Sequence, residues 1–267
     1  MESATAERKE ARAKAPVLYH IEISHYNEKA RWALDYKGIP HVRKAPPPLL
    51  HMAWALWLTR SPTFPVLKLD GAYVGDSTRI IETLEREHPE PPLYPPDEGE
   101  RRRALQLEEH FDEQLGPYIR RWLFHEGLVS LPSGDFIEGA LGSAPRTVKT
   151  TMRVTAPVGR GILRLRYGIN EEAARVARDK TAAALDRIEA ELQPSGYLVG
   201  DRFSVADLTA AALVFQLVRS PEAPYLLPPP LPPAVERFRA EASRRRAFEW
   251  VKEMYRRHRG RSAEIPG

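Results

Sequence analysis

The sequence predicts two domains, a small α/β domain followed by an all-helical one, and three observations carry this. Residues 15–96 alternate short apolar runs with helical repeats in the order β-α-β-α-β-β-α. Pro89 to Pro96 is a proline cluster that neither a helix nor a central strand accommodates, so it reads as a stiff linker. Beyond it, apolar residues recur every three to four positions over long stretches, the period of helices with one buried face. The resulting division is a flexible charged tail over 1–14, the α/β domain over 15–96, and a helical domain over 97–267 with an inserted segment at 128–170.

Val17 to Ile21 form a short apolar strand, and Ser24 stands at the start of the helix that follows. Gly38 is placed to end that helix at its C′ position. Pro65 opens a strand running to Leu69, where its missing N–H is tolerated. Gly71 turns the chain into the strand Ala72–Val74, and Asp76-Ser77 opens a helix to about Glu87. A long helix is expected from Glu98 to His125 on the spacing of Leu105, Leu107, Phe111, Leu115, Ile119, Trp122 and Leu123. Another is expected from Glu171 to Leu192. Ser204 and Asp207 have the spacing of a capping box and start a helix to about Val218. A proline-rich loop follows over Pro221–Pro233, then a last helix from Ala234 to His258 and a tail expected to fray after Gly260. The segment from Leu128 to Asn170 is rich in glycine and basic residues. It reads as a surface excursion with some short helix, as a lid, or as a patch for an anionic ligand or membrane surface.

At 267 residues the chain can bury a sizeable core. The net charge of +4 is spread over both signs and no basic-aromatic motif accompanies it, so nucleic-acid binding is not expected. There is no cysteine, which excludes disulfides, Cys-ligated zinc and a thiol nucleophile of the protein's own. No metal set is expected, because His20, His25 and His51 have no partners at ligand spacing. The first residues lack the apolar core of a secretory signal, and no window is apolar enough to span a bilayer. A cytoplasmic protein is the expectation.

The string Tyr197-Leu198-Val199-Gly200-Asp201-Arg202-Phe203-Ser204-Val205-Ala206-Asp207-Leu208, the run from Ser24 to Leu34, and the pairs Phe64-Pro65 and Asp76-Ser77 occur in an order that resembles the cytosolic glutathione transferases. The resemblance covers residues 15–96 and 97–258. It implies a thioredoxin-like domain followed by the family's helical domain, glutathione as co-substrate, no metal, a small hydrophobic electrophile, a role in detoxification and a homodimer. It further implies a hydroxyl that stabilises the glutathione thiolate. Ser24, seven residues before Arg31, has the spacing of Ser-type members, with a plain helix cap as the other reading; Tyr19 on the first strand is the runner-up. By the same resemblance Pro65 is a cis-proline presenting Phe64 to the cysteinyl unit. Asp76 and Ser77 bind the γ-glutamyl end, and Lys44 and His51 are available for the glycyl carboxylate. Tyr26, Tyr118 and Trp122, with His125, are candidates to line the electrophile site. The stretch Arg43–Pro62, with Pro46-Pro47-Pro48, Trp54 and Trp57, departs from the family pattern, which leaves room for a different low-molecular-weight thiol or for a non-catalytic binding or scaffold protein.

Overall fold

The computed structural model describes residues 15–46, 50–130 and 144–266. The expected tail over 1–14 and the first part of the insertion, 131–143, lie outside the described residues. The chain separates into two compact units, one formed by residues up to Leu93 together with Arg259–Gly267, the other by Tyr94–His258.

The first unit is a four-stranded sheet with strand order β2-β1-β3-β4, where β1 is Val17–Tyr19, β2 Val42–Lys44, β3 Val66–Leu69 and β4 Ala72–Gly75. β1 and β2 run parallel, joined through helix α1 (His25–Tyr36); β3 is antiparallel to β1, and β4 to β3. α2 (Leu50–Thr59) connects β2 to β3, and α3 (Ser77–Glu87) follows β4. This is the expected β-α-β-α-β-β-α order. The β3–β4 hairpin closes on Asp70 and Gly71, both at positive φ (48° and 85°), as a two-residue turn of matching twist requires. Tyr19, Ala55, Phe64 and Val66 form a core beneath α2, with Trp54 and Leu58 packed against it.

α1 departs from the usual one-sided helix. Asn27, Glu28, Lys29 and Arg31 are fully buried alongside Trp32 and Leu34. Buried charge is tolerated only when paired, and the partners come in part from the far end of the chain. Arg31 Nε donates to Glu28 (2.9 Å), Arg259 donates to both Glu28 and Asp35 (2.7 Å each), and Arg43 donates to Asp35 (2.6 Å). The tail is therefore held rather than frayed. The Ala263 N–H also donates to Asp35, and Glu264 bridges to His41, beside the edge strand β2.

The second unit comprises α4 (Glu98–Gln114), α5 (Gly116–Ser130), α6 (Arg146–Tyr167), α7 (Glu171–Glu191), α8 (Val205–Leu213), α9 (Phe215–Val218), α10 (Pro233–Ala242) and α11 (Arg246–His258). The single helix expected from Glu98 to His125 is two. Pro117 has no N–H to donate back to Glu113, and the ladder restarts at Gly116. The last helix is likewise interrupted at Ser243–Arg245. α8 is buried along its whole length and packs on α4, α9 and α11, so it is the centre of this unit. Its start is the expected capping box. The Ser204 N–H and hydroxyl both donate to Asp207 (2.9 and 2.8 Å), and the Leu198 N–H donates to the other carboxylate oxygen (2.8 Å). Burial pushes the Asp207 carboxyl up to about 6 despite these donors. Among its described residues the inserted segment contributes the 22-residue α6, longer than the short helix expected there.

Candidate functional site

Strand register gathers the candidate residues. One row crosses the sheet through Lys44, Tyr19, Val66 and Gly75, each paired with the next. From this row the chain leaves β1 toward Ser24, enters β3 from Phe64-Pro65, and leaves β4 into Asp76-Ser77. Four segments far apart in sequence thus meet at one end of the sheet. The Phe64–Pro65 bond is cis.

Three buried side chains of α1 tie these segments together. Arg31 donates to the carbonyls of Ile21 (3.3 Å), Glu22 (3.0 Å) and Ser24 (3.5 Å), clamping the β1–α1 loop. Asn27 accepts from the Ile21 N–H (3.1 Å) and donates to the Phe64 carbonyl (3.3 Å), linking that loop to the cis-proline segment. Lys29 donates to the Thr78 hydroxyl (2.9 Å) at the start of α3. Sequence reasoning passed over Asn27 and Lys29, because a run of polar residues on a helix reads as a solvated face. No local signal marks them as buried.

Ser24 is the N-cap of α1, but only its carbonyl does capping work, accepting from the Glu28 N–H (2.9 Å); its hydroxyl makes no cap hydrogen bond. Tyr19 lies in the core under α2, 8% exposed and edge-on to Trp54 at 5.0 Å, and burial followed by Tyr73 pushes its phenol above the ordinary range. Asp76 sits at φ 75°, an uncommon conformation for a residue with a side chain. Its Oδ1 accepts from the N–H groups of Thr78 (2.9 Å) and Arg79 (3.2 Å). That is a helix cap, and it does not engage the N–H of the buried Ser77. Both Ser24 and Ser77 thus stand at helix N-termini, where anions are favoured. Lys44 is exposed at the end of edge strand β2. The side chain of His51, on α2, lies outside the described residues. Tyr26 is half-buried beside His25, ring centroids 4.5 Å apart.

The remaining candidates belong to the helical unit. Trp122 is buried edge-on against Phe238 at 4.9 Å, and with His125 it lines an open cleft of about 360 Å³ shared with Glu126, Arg178 and Arg237. Tyr118 lies outside that cleft, its ring between Arg121 and Lys180, both at 5.7 Å. Among the described residues no group of three His, Cys, Asp or Glu side chains is arranged to hold a metal ion, and no helix is long and apolar enough to cross a membrane.

A thioredoxin-like sheet with this constellation, followed by a capped helical unit, defines a class, and comparison with known proteins agrees. The glutathione S-transferase N-terminal domain matches residues 18–92, and the glutathione S-transferase C-terminal domain matches residues 170–253. The chain belongs to the glutathione S-transferase superfamily. It is 31% identical to maleylacetoacetate isomerase of Dictyostelium discoideum over 128 residues, 45% of this chain and 56% of that protein, so the match spans little more than half of the relative. It is 26% identical to FtsZ-localized protein A of Caulobacter vibrioides over 208 residues, 73% of this chain and 74% of that one. A solved glutathione S-transferase from Methylobacterium radiotolerans, in complex with glutathione sulfonate, is similar in fold, with a TM-score of 0.54 at 23% identity over 88% of this chain and 93% of that one.

Proposed function

We propose that this protein binds glutathione at the common sheet end and activates its thiol for attack on a small hydrophobic electrophile. What supports the reading above all is that the segments bearing Ser24, Phe64-Pro65 and Asp76-Ser77 join the sheet at the same end, beside the row Tyr19, Val66 and Gly75, with a Ser24 hydroxyl not spent on capping. The Ser24 hydroxyl donates to the sulfur, and the positive end of α1 favours the anion, so more of the thiol is ionised near neutral pH. The thiolate sulfur supplies the electron pair of the new carbon–sulfur bond, the thiol's own proton having already passed to solvent. At the electrophile a leaving group departs with its bonding pair, or the pair of an activated double bond or strained ring moves onto the electrophile and is protonated by solvent. Asp76 pairs with the γ-glutamyl ammonium through the carboxylate oxygen not engaged as the cap. The Ser77 N–H and hydroxyl meet the neighbouring carboxylate. Arg31, Asn27 and Lys29 act as positioning residues for these segments.

The test combines two variants. Ser24→Ala should lower turnover about 100-fold, the scale of losing one donor to a developing anion, while calorimetric glutathione affinity stays near that of the parent. Asp76→Asn keeps an N-cap side chain that tolerates positive φ but removes the charge. It should weaken glutathione binding roughly tenfold or more at unchanged melting temperature. Unchanged turnover in the first variant and unchanged binding in the second would sink the reading.

A second reading, a binding or scaffold protein on the same fold, is favoured by the similarity to FtsZ-localized protein A, which extends over about three quarters of both chains. Absence of glutathione and mycothiol binding, with no turnover across an electrophile panel, would select it.

A further inference from the structure

Helix α6 lies outside both family matches. Its sequence from Arg146 to Tyr167 carries six basic residues (Arg146, Lys149, Arg153, Arg160, Arg164 and Arg166) and no acidic one. Among its described side chains, four large aliphatic ones face solvent: Val154 (77% exposed), Val158 (68%), Ile162 (48%) and Leu165 (88%). Their spacing of four, four and three places them within an arc of about 80° on a helix of 3.6 residues per turn. Arg146, Lys149, Arg153 and Arg164 fall within an arc of about 60° on the same construction, centred roughly 140° from the aliphatic stripe. The C-terminal end of the helix is anchored. Tyr167 packs against Phe124, its carbonyl accepts from Arg121 (2.8 Å), and Gly168 closes the helix in the left-handed conformation.

We propose that α6 is an interfacial helix that seats this protein on an anionic phospholipid bilayer. The charge pattern selects the occupant. A second copy of the helix would bring two wholly basic elements together. A nucleic acid would satisfy the arginines but leave four aliphatic side chains in water. An anionic bilayer surface offers both phosphate headgroups for the basic arc and an apolar layer for Val154, Val158, Ile162 and Leu165, with the long basic stems reaching back to the headgroups. Pro157 and Gly161 weaken the helix on its own, so a surface that buries its apolar stripe also stabilises its fold.

The test is flotation of the full chain with vesicles of phosphatidylcholine alone and of an equimolar phosphatidylcholine–phosphatidylglycerol mixture. Binding to the anionic vesicles, weakened by added salt and nearly absent on neutral ones, is expected. The double variant Val158→Asp/Ile162→Asp should abolish it. Arg146→Gln/Arg164→Gln should weaken it roughly 25-fold, about fivefold for each basic group removed. Both variants should keep the parent melting temperature, since the changed side chains face solvent. Equal recovery on the two vesicle types, anionic binding indifferent to both variants, or failure to float while the helix retains duplex DNA or an acidic protein would each overturn the proposal.

Discussion

His20 is the clearest case of one side chain whose protonation state is dictated by its neighbour. Its Nδ1 faces Arg31 Nη1 at 2.9 Å, and a guanidinium can only donate, so Nδ1 must be bare. Burial first, then the Arg31 and Arg43 charges, push its pKa down to about 2 from the ordinary 6.5. Below pH 6.5 the unfolded chain takes up a proton that the folded protein refuses. The stability that His20 contributes is therefore complete above pH 6.5 and is lost as the pH falls below it, by up to about 1.4 kcal/mol per pH unit. His20→Gln keeps an acceptor for Arg31 without the titration. It should flatten the fall in unfolding free energy on acidification, measured by denaturant titration at several pH values; an unchanged slope would show that other groups carry the acid sensitivity. At this scale the sequence was legible where a residue's role follows from its position. Ser24, Asp76 and Ser77 are helix-start residues, and the structure puts them at helix starts. It was silent on Asn27 and Lys29, whose burial depends on what surrounds α1 from outside its own segment.

Among the elements, α8 depends most on its first turn. Asp207 is fully buried and accepts from the Leu198 N–H, the Ser204 N–H and the Ser204 hydroxyl. Asp207→Ala leaves those donors without an acceptor in an apolar setting, and the expected loss is about 3 kcal/mol, the scale of stranding buried polar groups. Thermal and denaturant unfolding of the variant would check this, and a loss below the ordinary surface-substitution range would contradict the central role of the box. Elements with a strong local signal came through: the turn at Gly71 and the capped helix. The breaks inside long periodic runs did not, because an apolar repeat continues across Leu115 while Pro117 interrupts the backbone ladder beneath it. α6 was masked by its own glycines and Pro157, which read as loop although the helix continues through them.

At the level of the whole molecule, the return of the chain to the first unit was not legible in the sequence, because nothing near Gly260 announces that Arg259 belongs with Glu28 and Asp35. Burial pulls Asp35 upward, yet the Arg259 and Arg43 guanidiniums together hold its carboxyl below the usual range. Removing one partner of such a buried set strands the others, so Arg259→Ala should cost roughly 3–5 kcal/mol, read as a lowered unfolding midpoint, with Arg259→Lys losing less. A midpoint unchanged in both variants would mean the network relaxes at no cost. The same ties also fix the order of events during synthesis. Residues 15–93 leave the ribosome with Arg31 and Arg43 available to Glu28 and Asp35 but without Arg259, the guanidinium that joins the two carboxylates. Every helix from α4 to α11 is translated before Arg259 follows. The α/β unit is thus the last to be finished, and it takes final form only after the helical unit has been made.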